Sequence, residues 1–238
     1  MIDLLAAAAL AVVAAPRPAL AEGQHPHAAL APNGYAFQLF LPPGAAKQPA
    51  SRYPLMIFLH GSGERGTNLD QVKVHGPPKI ADRDSKFPFL LISPHLPADE
   101  DWELDKLRAI LVWALKALPA DPDRILLTGL SRGGHATWRW GAADPTRFAA
   151  LAPVAGRGDP ATACAIKPIP VWAFHGDRDD VVTPEGSFAM ARAIRACGGQ
   201  PRLTIYPDLG HNSWDPAYDD PALYYWLLAQ RRQRNDKE

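Results

Sequence analysis

The chain has 238 residues, with 25 Lys and Arg against 25 Asp and Glu and a hydrophobic fraction of 47%. Balanced charge leaves no electrostatic footprint for a nucleic-acid partner or an acidic membrane surface. The apolar run from Leu4 to Ala15 is too short to span a bilayer, so no stable membrane insertion is expected.

That apolar run is followed by Ala19-Leu20-Ala21 before Glu22, the pattern of a secretory signal peptide over residues 1–21. Asp3 stands where such leaders carry a positive charge. The expectation is a periplasmic or secreted protein whose residues 22–238 form a single domain. Strand-like runs follow at 35–41 and 53–59, the second ending in His60-Gly61-Ser62-Gly63, and again at 89–93. Residues 104–118 read as a helix, 124–128 as a buried strand and 132–143 as a helix. Strands at 149–154, 170–175 and 202–206 then alternate with helices at 184–196 and 221–230. Alternation of this kind gives a mainly parallel sheet covered by helices on both faces, an α/β fold. Between residue 131 and residue 211 no segment is long enough for a lid domain, so the cleft is expected to be fairly open.

The strand at 124–128 runs into Gly129-Leu130-Ser131-Arg132-Gly133, and a helix follows at once. Strand, sharp turn and helix with serine at the apex expose a hydroxyl at the sheet edge, and the flanking glycines give the turn room. Ser131 is therefore the candidate nucleophile. In a sheet of this type the acid and then the histidine follow the serine in the chain. His25, His27, His60, His75 and His95 precede it, His135 shares its helix and His175 closes a strand, which leaves His211 in a loop after the strand at 202–206. The acid should follow a strand between the two. The loop after His175 offers Asp177, Asp179 and Asp180, and the residues alone do not separate them. The backbone N–H of Arg132 is one expected oxyanion donor, and that of Ser62, with Gly63 the alternative, is the second. His60 is expected to be a structural hydrogen-bonding group. Trp102 and Trp214 fall on expected loops and are candidate walls of a substrate pocket, whereas Trp138 and Trp140 are expected to pack.

Phe58-Leu59-His60-Gly61-Ser62-Gly63-Glu64-Arg65-Gly66, His75-Gly76-Pro77-Pro78-Lys79, Gly129-Leu130-Ser131-Arg132-Gly133-Gly134, His175-Gly176-Asp177-Arg178-Asp179-Asp180-Val181-Val182 and His211-Asn212-Ser213-Trp214 occur in this order along almost the whole mature chain. Together they resemble serine hydrolases of the α/β-hydrolase superfamily, in particular the carboxylesterase/phospholipase group and the small prolyl-oligopeptidase-like hydrolases. The resemblance implies an α/β-hydrolase fold without a large lid and a Ser131–His211–Asp179 triad, so that Asp179 is the acid. Related elbows often carry methionine after the serine; here Arg132 places a cation there, which pairing with a neighbouring aspartate would occupy.

The function expected is cleavage of carboxylic esters, small or polymer-linked, through an acyl-enzyme. Peptide cleavage of the prolyl-oligopeptidase-like type is the alternative, and a noncatalytic ligand-binding module on the same fold is an alternative of another class. No cofactor or metal is expected: neither a glycine-rich phosphate loop nor an H-E-x-x-H string occurs. Cys164 and Cys197 fit export if paired and are equally compatible with buried thiols; two alone do not make a zinc site.

Overall fold

Along the strand Tyr53–Leu59, Leu55, Ile57 and Leu59 enter one hydrophobic core while Met56 and Phe58 enter a second. A strand apolar on both faces must be covered on both sides, and the whole architecture follows from that requirement. The computed structural model describes residues 21–47 and 51–232; apart from Ala21, the expected signal peptide lies outside them. Eight strands form one sheet: β1 (Gly23–His27), β2 (Phe37–Leu41), β3 (Tyr53–Leu59), β4 (Leu90–Pro94), β5 (Ala120–Leu130), β6 (Ala150–Val154), β7 (Trp172–Gly176) and β8 (Arg202–Tyr206). Their spatial order is β1-β2-β4-β3-β5-β6-β7-β8. The first two pairings in that order are antiparallel, and from β4 to β8 every neighbouring pair is parallel.

Helices α1 (Gly76–Arg83), α2 (Leu104–Ala117), α3 (Arg132–Ala143), α4 (Ala163–Ile166), α5 (Glu185–Ala196), α6 (Trp214–Asp219) and α7 (Pro221–Leu228) divide between the two faces. Leu107 and Ile110 of α2, Trp138 and Trp140 of α3, and Met190 and Ile194 of α5 fill one core. Ala81 of α1, Ala217 and Tyr218 of α6, and Leu223 and Leu227 of α7 fill the other. Trp138 and Trp140 are thus packing residues, as their place on the helix behind Ser131 suggested. Among the described residues no helix is long and apolar enough to cross a membrane.

Several elements differ from the sequence expectation. β1, Gly-Gln-His-Pro-His, has no apolar alternation and forms because it lies at the sheet edge against β2, its His27 ring stacked on Phe37 at 4.6 Å. The helix α1 begins Gly-Pro-Pro, which reads as a turn; proline is at home in a first turn, where no N–H is required. α6 likewise holds Pro216 in its first turn, so Trp214 opens a helix instead of lying on a loop. β5 starts at Ala120, before the expected Arg124, because Tyr53 pairs with Ala120 ahead of a register shift.

Cys164 on α4 and Cys197 at the C-cap of α5 are disulfide-bonded, with Cα atoms 5.3 Å apart. The bridge closes a segment that contains all of β7 and the loop after it.

Candidate active site

The chain runs from β3 outward to β4 and then returns past β3 to β5. Where strand order reverses, the connections after neighbouring strands diverge and leave a crevice at the carboxyl ends. Gly61 follows β3 and Ser131 follows β5, so the two meet there: a Cβ on Gly61 would lie 3.5 Å from Ser131 Cβ.

Ser131 has φ 51° and ψ −114°, a left-handed conformation that costs a non-glycine residue about 1–3 kcal/mol. The elbow is held by close packing. A Cβ on Gly133 would overlap the carbonyl of Leu59, and one on Gly129 would press into the backbone of Gly133. Side chains at either position would push α3 off the end of the sheet.

Asp179 is buried in the loop after β7. Its Oδ1 accepts the N–H groups of Val181 at 3.0 Å and Val182 at 2.8 Å, which fixes the carboxylate plane. Oδ2 faces His211 Nδ1 at 2.7 Å. Since a carboxylate only accepts, Nδ1 carries the proton, and Nε2 is left to accept from the Ser131 hydroxyl at 2.9 Å. The His211 loop can come this close because Gly176, at the end of β7, has no side chain; a Cβ there would run into the carbonyls of Leu209 and Gly210. Backbone bonds from Asp177 N to Tyr206 O and from Arg178 N to Leu209 O tie the two loops together. The structure therefore brings Ser131, His211 and Asp179 into one hydrogen-bonded line, while Asp177 and Asp180 are exposed.

The N–H groups of Ser62 and Arg132 have no hydrogen-bond partner among the described residues. Arg132 opens α3, whose first N–H groups have no intrahelical acceptor. Its guanidinium Nε donates to Ser62 Oγ at 2.8 Å, and Nη1 lies 3.3 Å from Asp101. The cation beside the serine thus clamps the two donor-bearing segments together.

Buried polar residues outside the triad support this arrangement, among them His60, the structural hydrogen-bonding group expected from the sequence. Glu64, buried, accepts the Gly61 N–H at 2.8 Å and so holds the turn carrying Ser62. His60 donates from Nδ1 to Gly61 O at 2.7 Å and accepts the Leu96 N–H at Nε2. Burial pushes its pKa down to about 4, so it stays neutral and structural. His175, also lowered by burial, donates from Nε2 to Val182 O at 2.7 Å, and the same nitrogen lies 3.2 Å from Asp179 Oδ2. A glutamate three residues after Gly61 and a histidine next to the end of β7 were visible in the sequence, but only the fold shows what they touch.

Trp102 must be corrected. It is 2% exposed, its ring edge against His60 at 5.0 Å and Tyr35 at 5.3 Å, so it is a packing residue under the crevice and not a pocket wall. Trp214 is half-buried, with its ring edge-on to His211 at 5.1 Å and to His75 at 5.6 Å. Among the described residues no group of three or more His, Cys, Asp and Glu could hold a metal ion.

No family model matches the chain. A protein of Nocardia uniformis subsp. tsuyamanensis described as "Putative esterase NocK" is 31% identical over 177 residues, covering 70% of this chain and 51% of that one. A solved thermostable esterase has 29% identity and a TM-score of 0.77 over 88% of this chain and 63% of its own. An acylaminoacyl peptidase of Pyrococcus horikoshii shares the fold with a TM-score of 0.63 at 13% identity, covering 91% of this chain and 42% of the peptidase. The chain spans about half the length of NocK and less than two thirds of the thermostable esterase.

Proposed function

We propose that this chain, which has the α/β-hydrolase fold and resembles esterases and prolyl-peptidase-like hydrolases of that superfamily, is a serine hydrolase of carboxylic esters. The observation that carries the reading is the continuous line from Ser131 Oγ through His211 to Asp179, at 2.9 and 2.7 Å. Ser131 Oγ attacks the ester carbonyl carbon while His211 Nε2 takes its proton, giving a tetrahedral oxyanion. The N–H groups of Ser62 and Arg132 stabilise that oxyanion, and Asp179 stabilises the imidazolium. The bond to the alcohol oxygen then breaks, His211 returns the proton to the leaving alcohol, and an acyl-enzyme remains. Water, deprotonated by His211, attacks the acyl carbon and releases the carboxylic acid and free Ser131. An alkoxide leaves more readily than an amide nitrogen, which favours esters over peptides.

The test is hydrolysis of p-nitrophenyl esters from acetate to palmitate by wild type and Ser131→Ala, beside an aryl peptide amide. Ester turnover lost in the variant supports the proposal. Amide turnover alone transfers it to a peptidase, and silence on both, with no fluorophosphonate adduct at Ser131, leaves a binding module. Export is proposed too: the Cys164–Cys197 disulfide suits an oxidising compartment, as does the leader-like run before Glu22. Mass spectrometry of the protein from a native-type host, finding Glu22 as the first residue in the exported fraction, is the expected result.

A further inference from the structure

Ser131 is the N-cap of α3 and accepts the His135 N–H on its carbonyl at 2.9 Å, so His135 sits one turn into the helix, with Arg139 a further turn along the same stripe. A cleft of about 560 Å³ opens along this stripe, with His135, Arg139 and Ala142 on one side and Arg157 and Asp159 on the other. That volume falls in the range of small-molecule sites. His135 is one helical turn from Ser131, about 6 Å along the axis.

The polar groups in the cleft are unevenly matched. The backbone N–H of Arg157 donates to His135 Nδ1 at 2.8 Å, so the imidazole carries its proton on Nε2. Burial and the neighbouring Arg157 hold His135 below its ordinary pKa, in the neutral form. Its Nε2–H has no partner among the described residues. The exposed Arg157 guanidinium has no carboxylate within ion-pair distance there either, unlike the exposed Arg178 and Arg192, which pair with Asp208 and Glu185. Arg139 lies 3.6 Å from Asp101, but that carboxylate also serves Arg132. Asp159 spends Oδ1 on the N–H of Ala161. Three guanidinium groups thus stand against two carboxylates that are already engaged.

We infer that this cleft is an anion subsite, in which the Arg157 guanidinium and the His135 Nε2–H hold a carboxylate carried by the ester substrate. Arg139 at the cleft edge adds to the positive field. The substrate class is a carboxylate-bearing ester whose anionic group sits beside the first turns of α3, away from the scissile carbonyl at Ser131. This rests on the hydrolase reading above. The carboxylate can belong to the acyl part or to the alcohol part of the ester.

The experiment compares kcat/KM for matched pairs. p-Nitrophenyl hemiadipate against p-nitrophenyl hexanoate places the charge on the acyl side, and p-(carboxymethyl)phenyl butyrate against p-tolyl butyrate places it on the alcohol side. In wild type, at low ionic strength, the anionic member of one pair is expected to be favoured. The Arg157→Gln variant should lower that anionic-to-neutral ratio by roughly fivefold, the worth of one partly exposed charge pair, and added salt should narrow the wild-type ratio. Arg192→Gln, which removes an exposed cation on α5 paired with Glu185, should leave the ratio where it was. A ratio unmoved by Arg157→Gln in both pairs, or moved equally by Arg192→Gln, overturns the subsite while the esterase reading stands. No ester turnover by wild type in any pair overturns the esterase reading itself, and the subsite with it.

Discussion

Replacing Asp179 by Asn tests the site through a change of one non-hydrogen atom. Oδ1 accepts two backbone N–H groups, those of Val181 and Val182. An asparagine can satisfy both only by keeping its carbonyl oxygen there, which turns its NH2 toward His211 Nδ1 and His175 Nε2. Facing a donor, His211 moves its proton to Nε2 so that Nδ1 can accept. The imidazole then has no lone pair for the Ser131 proton. Loss of the base in this way costs on the order of a thousandfold to ten-thousandfold in kcat, about 4–5.5 kcal/mol. The amide also meets the Nε2–H of buried His175 donor to donor, which lowers stability by about 1–3 kcal/mol. The assay is kcat for p-nitrophenyl butyrate on Asp179→Asn well below its melting temperature, with circular dichroism to confirm folding. Asp177→Asn and Asp180→Asn, at exposed carboxylates, serve as controls. A folded Asp179→Asn variant with kcat within about tenfold of wild type would refute the tautomer argument.

Three further outcomes are expected. Reducing the Cys164–Cys197 bond, or replacing both cysteines by alanine, opens a loop with a sequence separation of 33 and should lower stability by about 4 kcal/mol in the chain-entropy model; calorimetry giving an unchanged midpoint with both thiols shown to be free contradicts it. His60 has a folded pKa of about 4 against 6.5 unfolded, so between these values the unfolded chain binds the extra proton and stability falls as pH falls. The same direction holds for His95, His135 and His175. His60 alone should remove about 2 kcal/mol between pH 7.5 and pH 5, and urea unfolding that is as stable at pH 5 as at pH 7.5 would be inconsistent with a neutral buried imidazole. Gly133→Ala drives a methyl group into the Leu59 carbonyl and should yield little folded protein, whereas Gly63→Ala, with nothing within 4 Å of its added methyl, should express and melt like wild type; equal yields of the two would show that the elbow can relax.

The strands β2 to β7 were legible because each carries an apolar run, and a strand buried on both faces has little else to be, while β8 at the edge, half-buried, showed itself by Leu203, Ile205 and Tyr206. β1 was not, since a polar edge strand forms only when β2 offers its hydrogen bonds. α1 and α6 were hidden because Pro77, Pro78 and Pro216 signal turns locally, although a helix tolerates them in its first turn. Trp102 looked like a loop residue free to meet substrate; its burial depends on Tyr35 and His60, far away in the chain. Glu64 and His175 stood inside the matching strings with no sign of what they touch, and Arg157 carried no signal beyond its residue type.

By itself the sequence determined the order of the elements, the strained turn at Ser131 and the short set of histidines and aspartates able to join it, because glycine spacing and apolar runs are local properties. The selection within that set was tertiary. Backbone N–H groups of Val181 and Val182 fix the Asp179 carboxylate, Gly176 lets the His211 loop settle against β7, and Arg132 draws Ser62 toward Ser131. A hydrogen bond is decided by tenths of an ångström, and distances of that kind exist only after residues 32 to 80 positions apart have been packed onto one end of the sheet.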